Sequence, residues 1–169
     1  MAARVSLRDY QRDLAARLQS AGAGRATSKL GLHVGSERWL VDLTDAGEVI
    51  PVPRITPVPL TRPWFRGVAS IRGNLFSVVD IGAFLGGGTA TPGEQARLLV
   101  LSDRFRMSSA LLVDRSLGLR NPDELQERAA AAGRATWIKA EFDDAQGEYW
   151  RELDVPQLVQ DPEFLSVGA

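Results

Sequence analysis

The side chains that could do chemistry in this chain are few and widely spaced. His33 is the sole histidine, set among the leucines of KLGLHV, where period-two alternation predicts a strand. An imidazole acts as base or activates a nucleophile only with a partner in reach, and the chain has no cysteine and no second histidine. His33 therefore reads as a structural residue. Glu141, Asp143, Asp144 and Glu148 straddle the turn-rich DDAQG. They read as a solvated hairpin tip, because neither metal-ligand nor calcium-loop spacing is present. GAGRATSK lacks the order of a phosphate loop, and GGGTATPG lacks the strand–turn–helix setting that aims backbone N–H groups at a phosphate. Both read as linkers. No catalytic set, cofactor site or metal site is expected.

Polar residues in an apolar context are the remaining signal. RGVASIRGNLFSVVDI, residues 66–81, reads as two strands around a turn, with Gly73-Asn74 as its central pair. That register sets Arg72 opposite Leu75, Ile71 opposite Phe76, and Ser70 opposite Ser77. Ala69, Ile71, Phe76 and Val78 then form an apolar face suited to a core. The other face carries Ser70, Arg72 and Ser77 near the turn. Two readings follow: an ordinary solvated tip, or a docking patch with Arg72 as a many-donor anchor beside small residues.

The elements that hold this hairpin can be read outward from it. Leu7, Tyr10, Leu14 and Leu18 lie on one stripe of a helix over Ser6–Leu18, which docks on its own domain or presents the stripe to a partner. KLGLHV and ERWLVDL alternate as strands around Gly35-Ser36. AGEVIPVPRITPVPLTRP holds five prolines, which predicts an extended, stiff connector. A mobile loop, GGGTATPGE, leads to a second half. There ARLLVLSD and MSSALLVDRSLGL read as buried strands, TWIKAEF and EYWRELDV as a hairpin, and PQLVQDPEFL as a short closing helix. NPDELQERAAAAGR is a short helix or a surface excursion. Many short strands with turns between them describe small barrels rather than a sheet with alternating helices.

The chain has 169 residues, 44% hydrophobic and 24% charged, enough for one domain or two subdomains sharing a core. No apolar run approaches the ~18 residues of a bilayer span, and no secretion signal opens the chain. A cytoplasmic protein is expected. A net charge of −1 gives no field drawing the chain to nucleic acid.

EVIPVPRITPVPLTRPWFRGVASIRGNLFSVVDIGAFLG resembles the CheW-like family of chemotaxis coupling proteins. The likeness lies in a proline-containing extended segment (Pro57, Pro59), then Pro63, Trp64 or Phe65, and Gly67. Ile71-Arg72-Gly73 and Val79-Asp80-Ile81 follow. ALLVDRSLGL, with Val113-Asp114, and RELDVPQLV, with Leu153-Asp154, are similar to later family strands. The N-terminal helix, WFRGVASIRG and DPEFLSVGA are most like the PilI branch, the coupling proteins of twitching-motility pathways. The chain departs from the family pattern at Ser70, where Asn is frequent, and at Ser77, where Pro is frequent. In the register above these two face each other, which would couple the changes.

The resemblance implies a mainly β fold: two packed five-stranded SH3-like barrels, about 29–85 and 97–159, within a domain over 29–160. Residues 1–28 would be the helix and link, and 161–169 a tail. It implies a non-catalytic adaptor between the cytoplasmic tip of a methyl-accepting chemoreceptor and the regulatory domain of a histidine kinase, recruited to membrane-associated receptor arrays. The receptor contact maps onto Ile71, Arg72 and Gly73, with Ser70 and Ser77 beside them on the hairpin. A small β-barrel module for another protein, a peptide or single-stranded nucleic acid is the alternative, although a basic groove with aromatic platforms is missing.

Overall fold

The computed structural model describes residues 28–91 and 93–169; the expected helix over Ser6–Leu18 lies outside them. The described chain is mainly β, with eleven strands in two sheets. The strands are β1 (Lys29–Val34), β2 (Glu37–Asp42), β3 (Ala46–Pro51), β4 (Phe65–Ile71), β5 (Asn74–Asp80), β6 (Arg97–Leu101), β7 (Ser109–Val113), β8 (Arg115–Arg120), β9 (Leu125–Glu127), β10 (Ile138–Asp144) and β11 (Tyr149–Leu153). Three short α-helices, α1 (Ile81–Leu85), α2 (Val155–Leu158) and α3 (Pro162–Leu165), and two 3-10 turns, Asp103–Phe105 and Pro122–Glu124, complete it.

The strands do not divide into consecutive halves. Six form one sheet in the order β8-β1-β2-β11-β10-β9, and five form the other in the order β3-β6-β7-β5-β4. The N-terminal β1–β2 hairpin thus belongs with the C-terminal strands. Each sheet is antiparallel except at one parallel seam, β2 with β11 and β5 with β7. The expected count of five strands holds for one sheet, and the other gains the short β9.

Burial follows from this arrangement. β6 and β7 are apolar at consecutive positions because both of their faces are covered. Leu99, Leu101, Leu111 and Val113 face a large core shared with Leu30, Leu32, Trp39 and Val41 of the other sheet. Leu98, Val100, Ala110 and Leu112 face a smaller core with Ala69, Ile71 and Val78. MSSALLVDRSLGL is two strands rather than one, broken at Asp114, where the chain changes sheets. The start of the proline-rich stretch is a strand, not a connector. β3 ends at Pro51, the last residue of a sheet-edge strand, a position that proline tolerates. DPEFLSVGA is no loose tail: Phe164 is buried, stacked on Trp64 at 6.2 Å with Phe84 edge-on to both.

The glycine-rich loop after α1 is fastened rather than free. Asp80 is 0% exposed and caps α1 by accepting the Ala83 N–H at 3.1 Å. Its second oxygen accepts the Ala90 N–H at 2.9 Å, and Ala90 is buried. Asp114 accepts from Thr91 N–H at 3.2 Å and from Gly35 N–H at 2.6 Å. Two carboxylates therefore peg this loop, Asp114 also tying it to the β1–β2 turn of the other sheet.

Candidate functional site

The hairpin of β4 and β5 turns at Arg72-Gly73, one residue earlier than the sequence suggests. Ile71 pairs with Asn74, Ser70 with Leu75, Ala69 with Phe76, and Val68 with Ser77. Both central residues have positive φ, 51° at Arg72 and 82° at Gly73, as a type I′ turn requires. Glycine takes the second central place, which the Gly-Asn reading had given to Asn74. The displacement along β5 is two residues, so every side chain keeps its expected face. Ala69, Ile71 and Val78 are buried, while Ser70 is exposed. Ser70 and Ser77 do not face each other, so the proposed coupling between them falls away.

The five expected site residues separate in space. Gly73 is exposed at the tip, and nothing lies within 4 Å of where its Cβ would be. Ile71 is a core residue, 6% exposed, that anchors the turn from below. The Ser77 hydroxyl bonds to the Ser109 Oγ at 3.0 Å and the Ser108 carbonyl at 3.2 Å, stitching the parallel seam to β7. Ser70 shares its face with Leu75, which is 64% exposed.

Arg72 is the outward feature. Its side chain is 77% exposed, and its Nη2 lies 2.7 Å from Glu48 Oε2 on β3. β3 and β4 are the two edges of the five-stranded sheet, so this ion pair spans its open side. A register shift between Ala46 and Glu48 marks a bulge, the device that re-aims a side chain on a strand. Beneath the pair lies a mouth of about 480 Å³. Ile71, Phe76 and Val100 wall it, and Glu48 and Asp103 stand at its rim.

Magnitudes bear on what the pair is for. A non-glycine residue in the left-handed region costs roughly 1–2 kcal/mol. An exposed ion pair returns roughly 0–1 kcal/mol. Arginine at position 72 therefore does not improve the stability of the turn, which Asn or Gly would serve better. What the pair does is hold a guanidinium with donors to spare at a fixed place above a mouth of mixed polar and apolar lining.

Glu48 and Asp103 were missed in the sequence. Glu48 is 24 residues from Arg72, and no local pattern links β3 to the hairpin tip. The acidic cluster straddles the β10–β11 turn in partly solvent-exposed positions, and its carboxylates have partners nearby. Tyr149 donates to Glu141, Arg128 pairs with Asp143 at 3.2 Å, and Arg38 pairs with Glu148 at 2.5 Å. Asp144 accepts from Trp150 Nε1 at 2.9 Å. His33 sits in β1, and its carbonyl accepts the Asp114 N–H at 3.0 Å. Among the described residues no group of three or more His, Asp or Glu could hold a metal ion, and no helix is long and apolar enough to cross a membrane.

The comparisons with known proteins agree with this architecture. The chain is 32% identical over 99 residues to protein PilI of Pseudomonas aeruginosa, a match covering 59% of this chain and 55% of that protein. The chain thus matches about half the length of that relative. Its fold is similar to that of the scaffolding protein TtCheW from Thermoanaerobacter tengcongensis. The TM-score is 0.63 with 16% identity, over 75% of this chain and 88% of the other. The family profile of the CheW-like domain matches residues 29–163, most of the length, and on that match the chain belongs to the family of CheW-like domains.

Proposed function

We propose that this protein is a non-catalytic coupling protein. It bridges the cytoplasmic tip of a methyl-accepting chemoreceptor and the regulatory domain of a chemotaxis-type histidine kinase in a twitching-motility or chemotaxis pathway. It works in the cytoplasm at receptor arrays, without inserting into the membrane and without binding nucleic acid. Membership of the CheW-like family and the likeness to PilI support this reading. The observation that carries it is Arg72, kept in a strained, exposed turn and aimed by Glu48 across the open side of a sheet. Such a residue is a binding anchor, because it improves nothing in the free protein. Ser70, Gly73 and exposed Leu75 give the partner close approach beside it, and Ile71 and Ser77 hold the hairpin from within.

The test is binding of the purified chain to the two fragments, singly and together, with Arg72→Ala and Arg72→Gly in parallel. Saturable binding to both and a ternary complex are expected. Arg72→Gly removes the strain with the ion pair, so its stability should stay within about 1 kcal/mol of the parent. Both variants should bind at least one fragment about tenfold or more weakly, since a lost anchor costs over ~1.4 kcal/mol. Binding to neither fragment would refute the coupling role. Unchanged affinities in both variants would remove Arg72 from the interface.

A further inference from the structure

The large core is open at one corner. Leu119 of β8 pairs directly with Leu30 of β1, which pairs in turn with Val41 of β2. Side chains directly opposite one another share a face of the sheet. Leu30 and Val41 are buried in the large core, at 6% and 0% exposure, yet Leu119 beside them is 64% exposed. Arg120, the next residue, turns to the other face and lies over the Trp150 ring at 5.0 Å. Leu119 therefore points to the core side of its sheet, and the sheet ends there, because β8 is an edge strand. A single exposed leucine is ordinary, but one that continues a buried row is not.

The chain brings an apolar segment to this corner. Lys29 opens β1, cross-strand from Arg120 on one side and from Asp42 on the other. Leu43, next after Asp42, is also exposed, at 37%. Residues 1–27, which lie outside the described structure, are thus tethered between Leu43 and Leu119. They carry the stripe Leu7, Tyr10, Leu14 and Leu18 of the helix predicted over Ser6–Leu18. At ~1.5 Å per residue that helix is about 20 Å long. Residues 19–28 are rich in Gly, Ala and Ser, and a link of this kind and length spans roughly 18 Å. Leu119 is one strand (~4.8 Å) and one residue (~3.3 Å) away from the tether at Lys29. The link is long enough to lay the stripe on Leu119. It is also short enough to hold the stripe near by, at an effective concentration in the millimolar range.

We propose that the apolar stripe of the N-terminal segment docks on its own domain over Leu119 and Leu43, closing the large core at the β8 edge. Of the two roles that the sequence allows this helix, its own domain takes precedence over a partner. The contact is intramolecular and does not depend on protein concentration. It stands without the coupling role proposed above.

The chain has no cysteine, so one spin label can be placed without ambiguity. Ala16→Cys carries it, two residues past Leu14 and two before Leu18, on the side of the helix away from the stripe. In the full-length chain the label should cause loss of the amide signals of residues 117–120 and 43–44, and spare 125–127 on β9. Adding Leu14→Asp to the labelled chain should restore the lost signals. This variant lies outside the described domain and removes nothing from its core. Signals at 117–120 that stay sharp would overturn the proposal, as would a loss that Leu14→Asp leaves unchanged, which the tether alone would explain. A second sample mixes labelled chain without isotope and isotope-enriched parent without label. Loss at 117–120 in that mixture would assign the stripe to a second copy and overturn the proposal as well. No receptor or kinase fragment is present, so failure here is separate from failure of the coupling role.

Discussion

Gly67 shows how a single residue sets the approach of the proline-rich connector to the hairpin. The Thr56 N–H and carbonyl bond to the carbonyl and N–H of Val68, at 2.8 and 2.9 Å, laying the connector along the edge of β4. A Cβ on Gly67 would lie 2.1 Å from the Thr56 carbonyl oxygen, and its φ of 128° lies in the region that favours glycine. Gly67, the glycine that follows Pro63 and the Trp64-Phe65 pair, is thus a contact requirement and not a turn. Gly67→Ala should cost about 3 kcal/mol or more, since both the clash and the backbone must be relieved. Urea titration measures this; a midpoint within error of the parent would show that the connector gives way freely. The outward backbone groups of Ser70 continue the row beyond Val68 on the exposed side of this edge.

Elements were legible in the sequence where burial of a strand's own faces sets the pattern, and less so where position depends on another strand. The alternation in KLGLHV and ERWLVDL, and the apolar runs of β6 and β7, located those strands because burial dictates the pattern directly. The Arg72 tip could be read from its neighbours, since Ile71 and Ala69 had to face inward. Its exact turn could not, because Arg-Gly and Gly-Asn both suit a two-residue hairpin and the choice rests on the pairing with β7. Glu48 was invisible for the same reason. The β2–β3 crossover carries a further long-range device. The Asp45 carbonyl accepts the Ser102 N–H at 2.8 Å, and the buried Asp45 carboxylate pairs with Arg104. Burial raises the Asp45 pKa above its ordinary 3.8, against the opposing pull of Arg104. The folded state therefore holds this proton more tightly than the unfolded chain. Its contribution to stability is full below pH 3.8 and is lost as pH rises through the folded value. Asp45→Asn cannot titrate, so the parent should lose stability relative to this variant as pH climbs from about 3.8. Thermal melts of both proteins across that window test it. A parent that gains on the variant with rising pH would show that Arg104 outweighs the burial.

At the scale of the whole molecule, the exchange of strands between sheets makes one cooperative unit of what reads as two halves. A fragment of 29–85 would hold β1 to β5, yet β1 and β2 need β8 and β11, β3 needs β6, and β5 needs β7. A fragment of 97–159 would hold the complementary set with the same pairings cut. The larger core would be divided as well, with Leu32, Trp39 and Val79 on one side and Leu99, Leu111 and Leu153 on the other. Neither piece could cover both faces of its central strands, and exposed apolar edges would remain. Each fragment alone should therefore show the collapsed amide spectrum of an unfolded chain. Mixing pieces extended to 29–96 and 97–169, which keep Ala90, Ala96 and Phe164, should restore dispersed signals, because the missing partners are then supplied. A dispersed spectrum from either fragment alone would mean that one sheet is self-sufficient. The pairing across both seams thus makes the two sheets one body, with the Asp114 peg joining the 86–96 loop to the β1–β2 turn.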